Sequence, residues 1–213
     1  VGYVHGGVVR AEFAASLLAL VMEGPSPVDA VIAWESGPNI STARNMVVHK
    51  FLSEQGAPWL LMADTDMVFA ADALARLITA ADPLERPVVG GLCYQRSPDG
   101  GDALPVMYEF GESAPGRLAF SRYSSWPEDS CVRVGATGTA FLLMHRDALE
   151  RVRVSAADAA APWFRESGVG SPLTLLGEDL TFCLRCGLAK VPVHVHTGVQ
   201  IGHVKPVMLG KVI

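Results

Sequence analysis

Trp59-Leu60-Leu61-Met62-Ala63-Asp64-Thr65-Asp66 is a short apolar run that ends abruptly in two carboxylates separated by one residue. The apolar part has the length and character of a buried strand. A carboxylate cannot follow it into a core cheaply, because desolvating an unpaired one costs several kcal/mol. Asp64 therefore marks a strand end. Residues i and i+2 of an extended segment project to one side, so Asp64 and Asp66 are able to aim at a common point. Oxygen donors of this kind suit Mg²⁺ or Mn²⁺, which commonly bridge to substrate phosphates. The same residues also fit a plain strand end closed by an Asx-turn. The surrounding sequence has to choose between the two.

Upstream of this stretch, Val1 to Val9 reads as a strand, Ala11 to Glu23 as an amphipathic helix ended by Gly24-Pro25, and Val28 to Trp34 as a second buried strand. Ser41 is placed to cap a helix reaching about Gln55, with Val47, Val48, Phe51 and Leu52 on its core face. The strand Pro58 to Ala63 follows, then a helix over Ala71 to Ala81 and a strand over Val88 to Tyr94. This β-α-β-α-β-α-β alternation predicts an α/β fold with a mainly parallel central sheet flanked by helices. Ligands of such sheets bind beyond the carboxyl ends of the strands, which is where the acidic pair falls.

The pattern changes after Tyr94. Residues 95–131 are rich in Pro, Gly, Ser and Asp, with short strands expected at Val106–Phe110 and Leu118–Tyr123, a small antiparallel excursion within one domain. Phe141 to His145 reads as a compact strand and Arg146 to Arg151 as a short helix. Ala156 to Leu175 reads as a mobile loop, Gly177 to about Cys186 as a helix, and Val191–His196 and Val199–Val204 as late strands.

With 213 residues, half of them hydrophobic and 18% charged, the chain can bury a substantial core and is not disordered. The apolar stretch from Phe13 to Met22 is broken by Ser16 and is too short for a bilayer. No basic n-region or signal peptide is seen, so a cytoplasmic location is expected. A net charge of −5 gives no general attraction to nucleic acid. A local basic surface from Arg117, Arg122, Arg133, Arg151, Arg153 and Arg165 remains open. Cys183 and Cys186 form a C-x-x-C one helical turn apart with no second pair to complete a zinc site. Packing in a reducing compartment explains them, and a redox pair is the alternative.

Four further features converge with the acidic pair. Ser41-Thr42-Ala43-Arg44-Asn45 puts a cation near a helix N-terminus, an arrangement suited to an anion bound there or to an ordinary surface Arg. Gly135-Ala136-Thr137-Gly138-Thr139 precedes the apolar strand and lets a ligand approach the backbone, or simply turns the chain. Gly177-Glu178-Asp179 places carboxylates at a helix start, where capping is their common use. His194-Val195-His196 and Gly202-His203-Val204-Lys205 end the chain's ordered pattern. His194 and His196 share a strand face and fit a solvated or hydrogen-bonded role, while an imidazole at His203 would suit Mn²⁺.

Taken in order, Arg44-Asn45, Asp64-Thr65-Asp66, Gly138 with Phe141-Leu-Leu-Met-His-Arg146, Gly177-Glu178-Asp179 and His203 resemble the GT-A nucleotide-sugar glycosyltransferases, a Rossmann-like fold. The resemblance spans roughly Val1 to Lys205. It implies one domain over 1–213, with residues 1–94 as nucleotide-binding half and 95–213 as acceptor-binding half. It implies that Asp64 and Asp66 bind Mn²⁺ or Mg²⁺ and the donor diphosphate, and that His203 completes the metal site. Arg44, Asn45, Thr65 and Gly138 would contact the donor. Glu178 and Asp179 would face the acceptor, with Asp179 as general base if the anomeric centre is inverted, the outcome slightly favoured. The resemblance is to small family 2-like proteins of the kind that occur in bacteriophages and actinobacteria. The Gln-x-x-Arg-Trp signature of processive synthases is absent. The implied activity moves a sugar from a nucleoside-diphosphate sugar to a hydroxyl on a protein, a modified DNA base, a metabolite or a glycan. Trp163, Phe164, Trp126 and Tyr123 suit stacking on sugar or base, or anchoring of loops and core. A metal-dependent nucleotidyltransferase is disfavoured because no Lys follows His5-Gly6-Gly7 closely. A non-catalytic sugar- or nucleotide-binding protein is disfavoured by the intact acidic motifs.

Overall fold

A computed structural model describes residues 1–97, 99–114, 117–156, 158–168 and 175–206. Along the chain run β1 (Gly2–His5), α1 (Ala11–Met22), β2 (Ile32–Glu35), α2 (Ile40–Glu54), β3 (Trp59–Asp64), β4 (Met67–Val68), α3 (Ala73–Ala80), β5 (Val88–Arg96), β6 (Ala103–Pro105), β7 (Met107–Ala114) and β8 (Arg117–Arg122). There follow β9 (Cys131–Val134), β10 (Ala136–Thr137), β11 (Phe141–His145), α4 (Arg146–Ser155), β12 (Ser167–Gly168), β13 (Leu175–Leu176), α5 (Glu178–Leu188) and β14 (Val193–His203). The loop expected over 156–175 lies partly outside the described residues.

The main sheet has the order β2-β1-β3-β11-β5-β14-β4, with β6 added to β5 and β9 to β14. β1 pairs parallel with β2 and β3, and β5 pairs parallel with β14. β11 runs antiparallel between β3 and β5. The alternation of helices and strands thus gives the mainly parallel sheet, with β11 reversed at its centre and the short strands β4, β6 and β9 antiparallel to their neighbours. A second sheet, β10-β7-β8, is the small antiparallel excursion.

Strand alternation sorts the core into two layers. Leu60 and Met62 of β3, with Leu142 and Met144 of β11, pack on the side of Val47, Val48 and Phe51 from α2. Leu61 and Ala63, with Phe141 and Leu143, pack on the side of Phe13 and Leu20 from α1 and Leu74 and Leu77 from α3. Asp64 is in phase with Leu60 and Met62, so its carboxylate leaves the sheet on the α2 side. β14 changes phase along its length. Val193 and Val195 belong to the α2 layer, while Val199 and Ile201 belong to the α1 and α3 layer. A register shift between His196 and Gln200 against β5 produces this switch. The two late strands expected from the sequence are therefore one irregular strand, and beyond its shift His203 follows the phase of Ile201.

Two element ends differ from expectation for local reasons. The first strand stops at His5, because Gly7 turns the chain at φ 92° and gives its N–H to His5 Nδ1 (3.2 Å). The α2 helix is capped by Asn39, whose side chain accepts from Thr42 N–H at 3.1 Å, and not by Ser41. Among the described residues, no helix is long and apolar enough to cross a membrane.

Candidate active site

α2 and the end of β3 meet at Arg44. This side chain is 2% exposed. Its Nη2 donates to both Asp64 oxygens (2.8 and 3.0 Å), and its Nη1 donates to Thr139 Oγ1 (3.0 Å), Glu178 Oε1 (2.6 Å) and Asp179 Oδ1. Burial works against its charge, and Asp64, Asp179 and Glu178 more than reverse that, so its pKa is raised and the guanidinium stays ionised. The sequence left Arg44 either to a bound anion or to the surface; it is buried, and the anions it meets are three carboxylates of its own chain. They arrive from the end of β3 and from the first turn of α5, whose N-cap is Gly177. Glu178 lies deeper than Asp179, with 16% of its side chain exposed against 33%. Burial, then the neighbouring Asp179 charge, raises the Glu178 pKa.

The second acidic residue of the pair points elsewhere. Asp66 Oδ2 lies 2.9 Å from His203 Nε2 and 2.8 Å from Lys205 Nζ. Burial disfavours its ionisation, but the Lys205 and His203 hydrogen bonds outweigh that and hold its pKa below the ordinary value. His203 Nδ1 is 2.9 Å from the Tyr94 carbonyl oxygen. A carbonyl only accepts, so Nδ1 carries a proton. The Asp66 carboxylate also only accepts, so Nε2 donates to it; a cation bound at Asp66 would take the place of that proton on Nε2, with Nδ1–H still held by Tyr94 and fixing the ring. Among the described residues no group of three or more His, Cys, Asp or Glu side chains converges to hold a metal. Asp66 and His203 supply two donors of a type that fits Mn²⁺, with the remaining positions open to water or phosphate oxygens.

Beside Asp64 and Asp66 lies an open cleft of about 530 Å³ lined by Val4, Arg10, Ile40 and Thr65 as well, among others. It sits beyond the carboxyl ends of β1 and β3, where α/β sheets bind ligands. The structure thus brings Arg44, Asp64, Gly138, Glu178 and Asp179 together, sets Asp66 and His203 beside them, and places Thr65 on the cleft wall. Asn45 does a different job. Its amide donates to the Ser41 and Phe164 carbonyls (both 2.7 Å) and accepts from the Trp163 and Phe164 N–H groups (3.2 and 3.3 Å). All its hydrogen-bonding capacity is spent on backbone.

The aromatic residues are accounted for by packing. Trp163 and Phe164 are buried, Trp163 Nε1 donates to Leu149 O (2.8 Å), and Phe164 stacks on Phe182 at 4.8 Å. Tyr123 donates to Arg133 O (3.1 Å), and burial together with Glu109 pushes its pKa to about 12. Trp126 packs against the α2-side core. Cys183 and Cys186 are buried core residues whose thiols are pushed up by burial, the opposite of a reactive pair. His194 and His196 lie on β14 opposite Arg133 and Cys131 of β9, away from the acidic residues. The sequence reading assigned no role to Thr139 or Lys205, both of which touch site carboxylates. Their signal was adjacency alone, one beside Gly138 and the other two residues past His203.

No family model matches the chain, and no curated protein matches its sequence. Solved structures do resemble it. A197 from STIV superposes with a TM-score of 0.60 at 15% identity, over 96% of this chain and 84% of that one. GalNAc-T7 with UDP, GalNAc and Mn²⁺ superposes with a TM-score of 0.52 at 12% identity, over 82% of this chain and 32% of that one. The chain thus spans about a third of the length of the latter. At these identities the likeness establishes the fold, which is GT-A-like.

Proposed function

We propose that this chain transfers a sugar from a nucleoside-diphosphate donor to an acceptor hydroxyl with the help of a divalent cation. The observation that carries the reading is the pairing of His203 Nε2 with Asp66 Oδ2, the ring being held through Nδ1 by the Tyr94 carbonyl, at a cleft lined by Asp64, Thr65 and Asp66. The solved structure of a GT-A-like chain with UDP, GalNAc and Mn²⁺ supports the same chemistry on this fold.

Asp66 and His203 would hold the cation, Mn²⁺ being favoured by the imidazole and Mg²⁺ the alternative. Asp64, already bonded to Arg44 through both oxygens, retains lone pairs on the cleft side for the metal shell or the donor. The cation, when bound, offsets the negative charge that develops on the departing diphosphate. Thr65 and the backbone at Gly138 would border the donor. Arg44 and Asn45 contribute indirectly: Arg44 fixes Asp64 and Asp179, and Asn45 holds the segment that covers α2. Asp179 would accept the acceptor proton in an inverting transfer, with Glu178 beside it.

The test is donor hydrolysis by the purified chain with a panel of nucleoside-diphosphate sugars, with and without Mn²⁺. Release of nucleoside diphosphate from at least one donor, lost on chelation and restored by Mn²⁺, is expected. Absence of metal-dependent release and of donor binding across the panel would overturn the reading.

A further inference from the structure

We infer that Thr139 is a positioning residue that selects Oδ2 of Asp179 as the oxygen that takes the acceptor's proton. This rests on the transferase reading above and adds a residue and an atom to it.

Thr139 is 1% exposed and lies in the short link between β10 and β11. Its hydroxyl accepts from Arg44 Nη1 at 3.0 Å. A guanidinium has no lone pair to offer, so the hydroxyl hydrogen has to find another acceptor. That acceptor is Asp179 Oδ1. The direction of the hydrogen bond is therefore set by the permanent charge of Arg44. The branched Cβ of Thr restricts the hydroxyl further.

Oδ1 consequently receives two donors, the Thr139 hydroxyl and Arg44 Nη1. Both stabilise negative charge on that oxygen and make it the poorer site for a proton. Oδ2 makes no hydrogen bond among the described residues and faces Gly138. A Cβ built on Gly138 would lie 3.7 Å from Oδ2 and 3.3 Å from Val106 Cγ1. The bare glycine therefore leaves this side of Oδ2 uncovered; a methyl group there would cover it at ordinary contact distance and press on Val106.

In the step itself the acceptor hydroxyl gives its proton to Oδ2 as its oxygen bonds to the anomeric carbon. The bond from that carbon to the diphosphate oxygen breaks, and its electron pair leaves with the diphosphate. Thr139 touches neither reactant and acts through Asp179 alone. Non-additivity with Asp179 substitutions follows from this.

The experiment is steady-state hydrolysis of the active nucleoside-diphosphate sugar by wild type, Thr139→Val, Thr139→Ser, Gly138→Ala, Asp179→Asn and the Thr139→Val/Asp179→Asn double variant. Thr139→Val is nearly isosteric and removes the hydroxyl. It should lower kcat roughly tenfold, part of the 10²–10⁴ that a positioned base supplies, with KM for the donor unchanged. Thr139→Ser should restore most of the loss, and Gly138→Ala should lower kcat. The double variant should be no slower than Asp179→Asn. Wild-type turnover in Thr139→Val overturns the role of Thr139, as does a double variant slower than Asp179→Asn by the full Thr139→Val factor. If Thr139→Val does not fold, a Thr139→Ser enzyme at near wild-type kcat beside a slowed Gly138→Ala supports the assignment, and Gly138→Ala at full turnover overturns it. An active wild type with an unaffected Asp179→Asn overturns the base assignment and this inference with it, leaving the transferase reading standing. A wild type inert toward every donor overturns both.

Discussion

At Arg44 one buried guanidinium faces Asp64, Glu178 and Asp179. Removing one partner of a buried ionic group typically costs about 3–5 kcal/mol, because the charges left behind are neither solvated nor paired. Arg44→Met should destabilise the fold by about that amount near neutral pH, where three carboxylates would repel one another. Protonation relieves that repulsion, so the penalty should shrink as the pH is lowered. Denaturant titrations of both proteins at pH 7 and near pH 4.5 check this, and a penalty independent of pH would show that packing, not charge, was lost. At Asp66 the expectation concerns metal. Asp66→Ala should abolish Mn²⁺-dependent binding of a nucleoside diphosphate in calorimetry while leaving thermal unfolding cooperative. His203→Ala should weaken Mn²⁺ more than His194→Ala or His196→Ala; the reverse order would move the metal to another histidine.

At the scale of elements, α2 holds the segment at Trp163 and Phe164 through one side chain. Asn45→Ala would leave buried backbone groups of that segment without partners, at about 1–3 kcal/mol for each group stranded. A loss of roughly 2–4 kcal/mol is expected, together with faster amide exchange at Trp163 and Phe164, and unchanged exchange there would refute the clamp. On β14, His194 is buried, with a ring Nδ1 that has no partner. Burial, then Arg86 and Arg133, lowers its pKa from 6.5 to about 4. The unfolded chain takes up this proton at the higher pH, so it binds more protons than the folded chain within that interval. Stability should therefore fall as pH is lowered from about 6.5 to about 4, by at most about 3 kcal/mol from this residue at 1.36 kcal/mol per unit. His194→Gln should flatten that slope, and an unchanged slope would remove His194 as its source. Most helices and strands were legible in the sequence, because apolar spacing reports which face is buried. Asn39 as the α2 cap was not, since Asn39 and Ser41 are both good capping residues two positions apart. The partners of Arg44 were not legible either. Glu178 and Asp179 lie more than 130 positions away, and nothing local to α2 announces them. The acidic pair was legible as a strand end, but its two carboxylates diverge because Asp64 is still in phase with β3 while Asp66 has entered the turn to β4.

At the scale of the whole molecule, the two halves read from the sequence share one sheet, since β11 and β14 lie among β3, β5 and β4. The direction and place of β11 were hidden, because Phe141 to His145 is buried on both faces and such a strand carries no pattern that orients it. Its position has a consequence for synthesis on the ribosome. β3 and β5 emerge early yet do not touch in the finished sheet; the strand that seals them comes much later in the chain. Until it arrives, both present apolar edges with unpaired backbone groups, the kind of surface that recruits other chains. The first 94 residues are therefore not a self-sufficient folding unit. A nascent chain of this protein has to be kept from aggregating until the middle of its own sheet has been made.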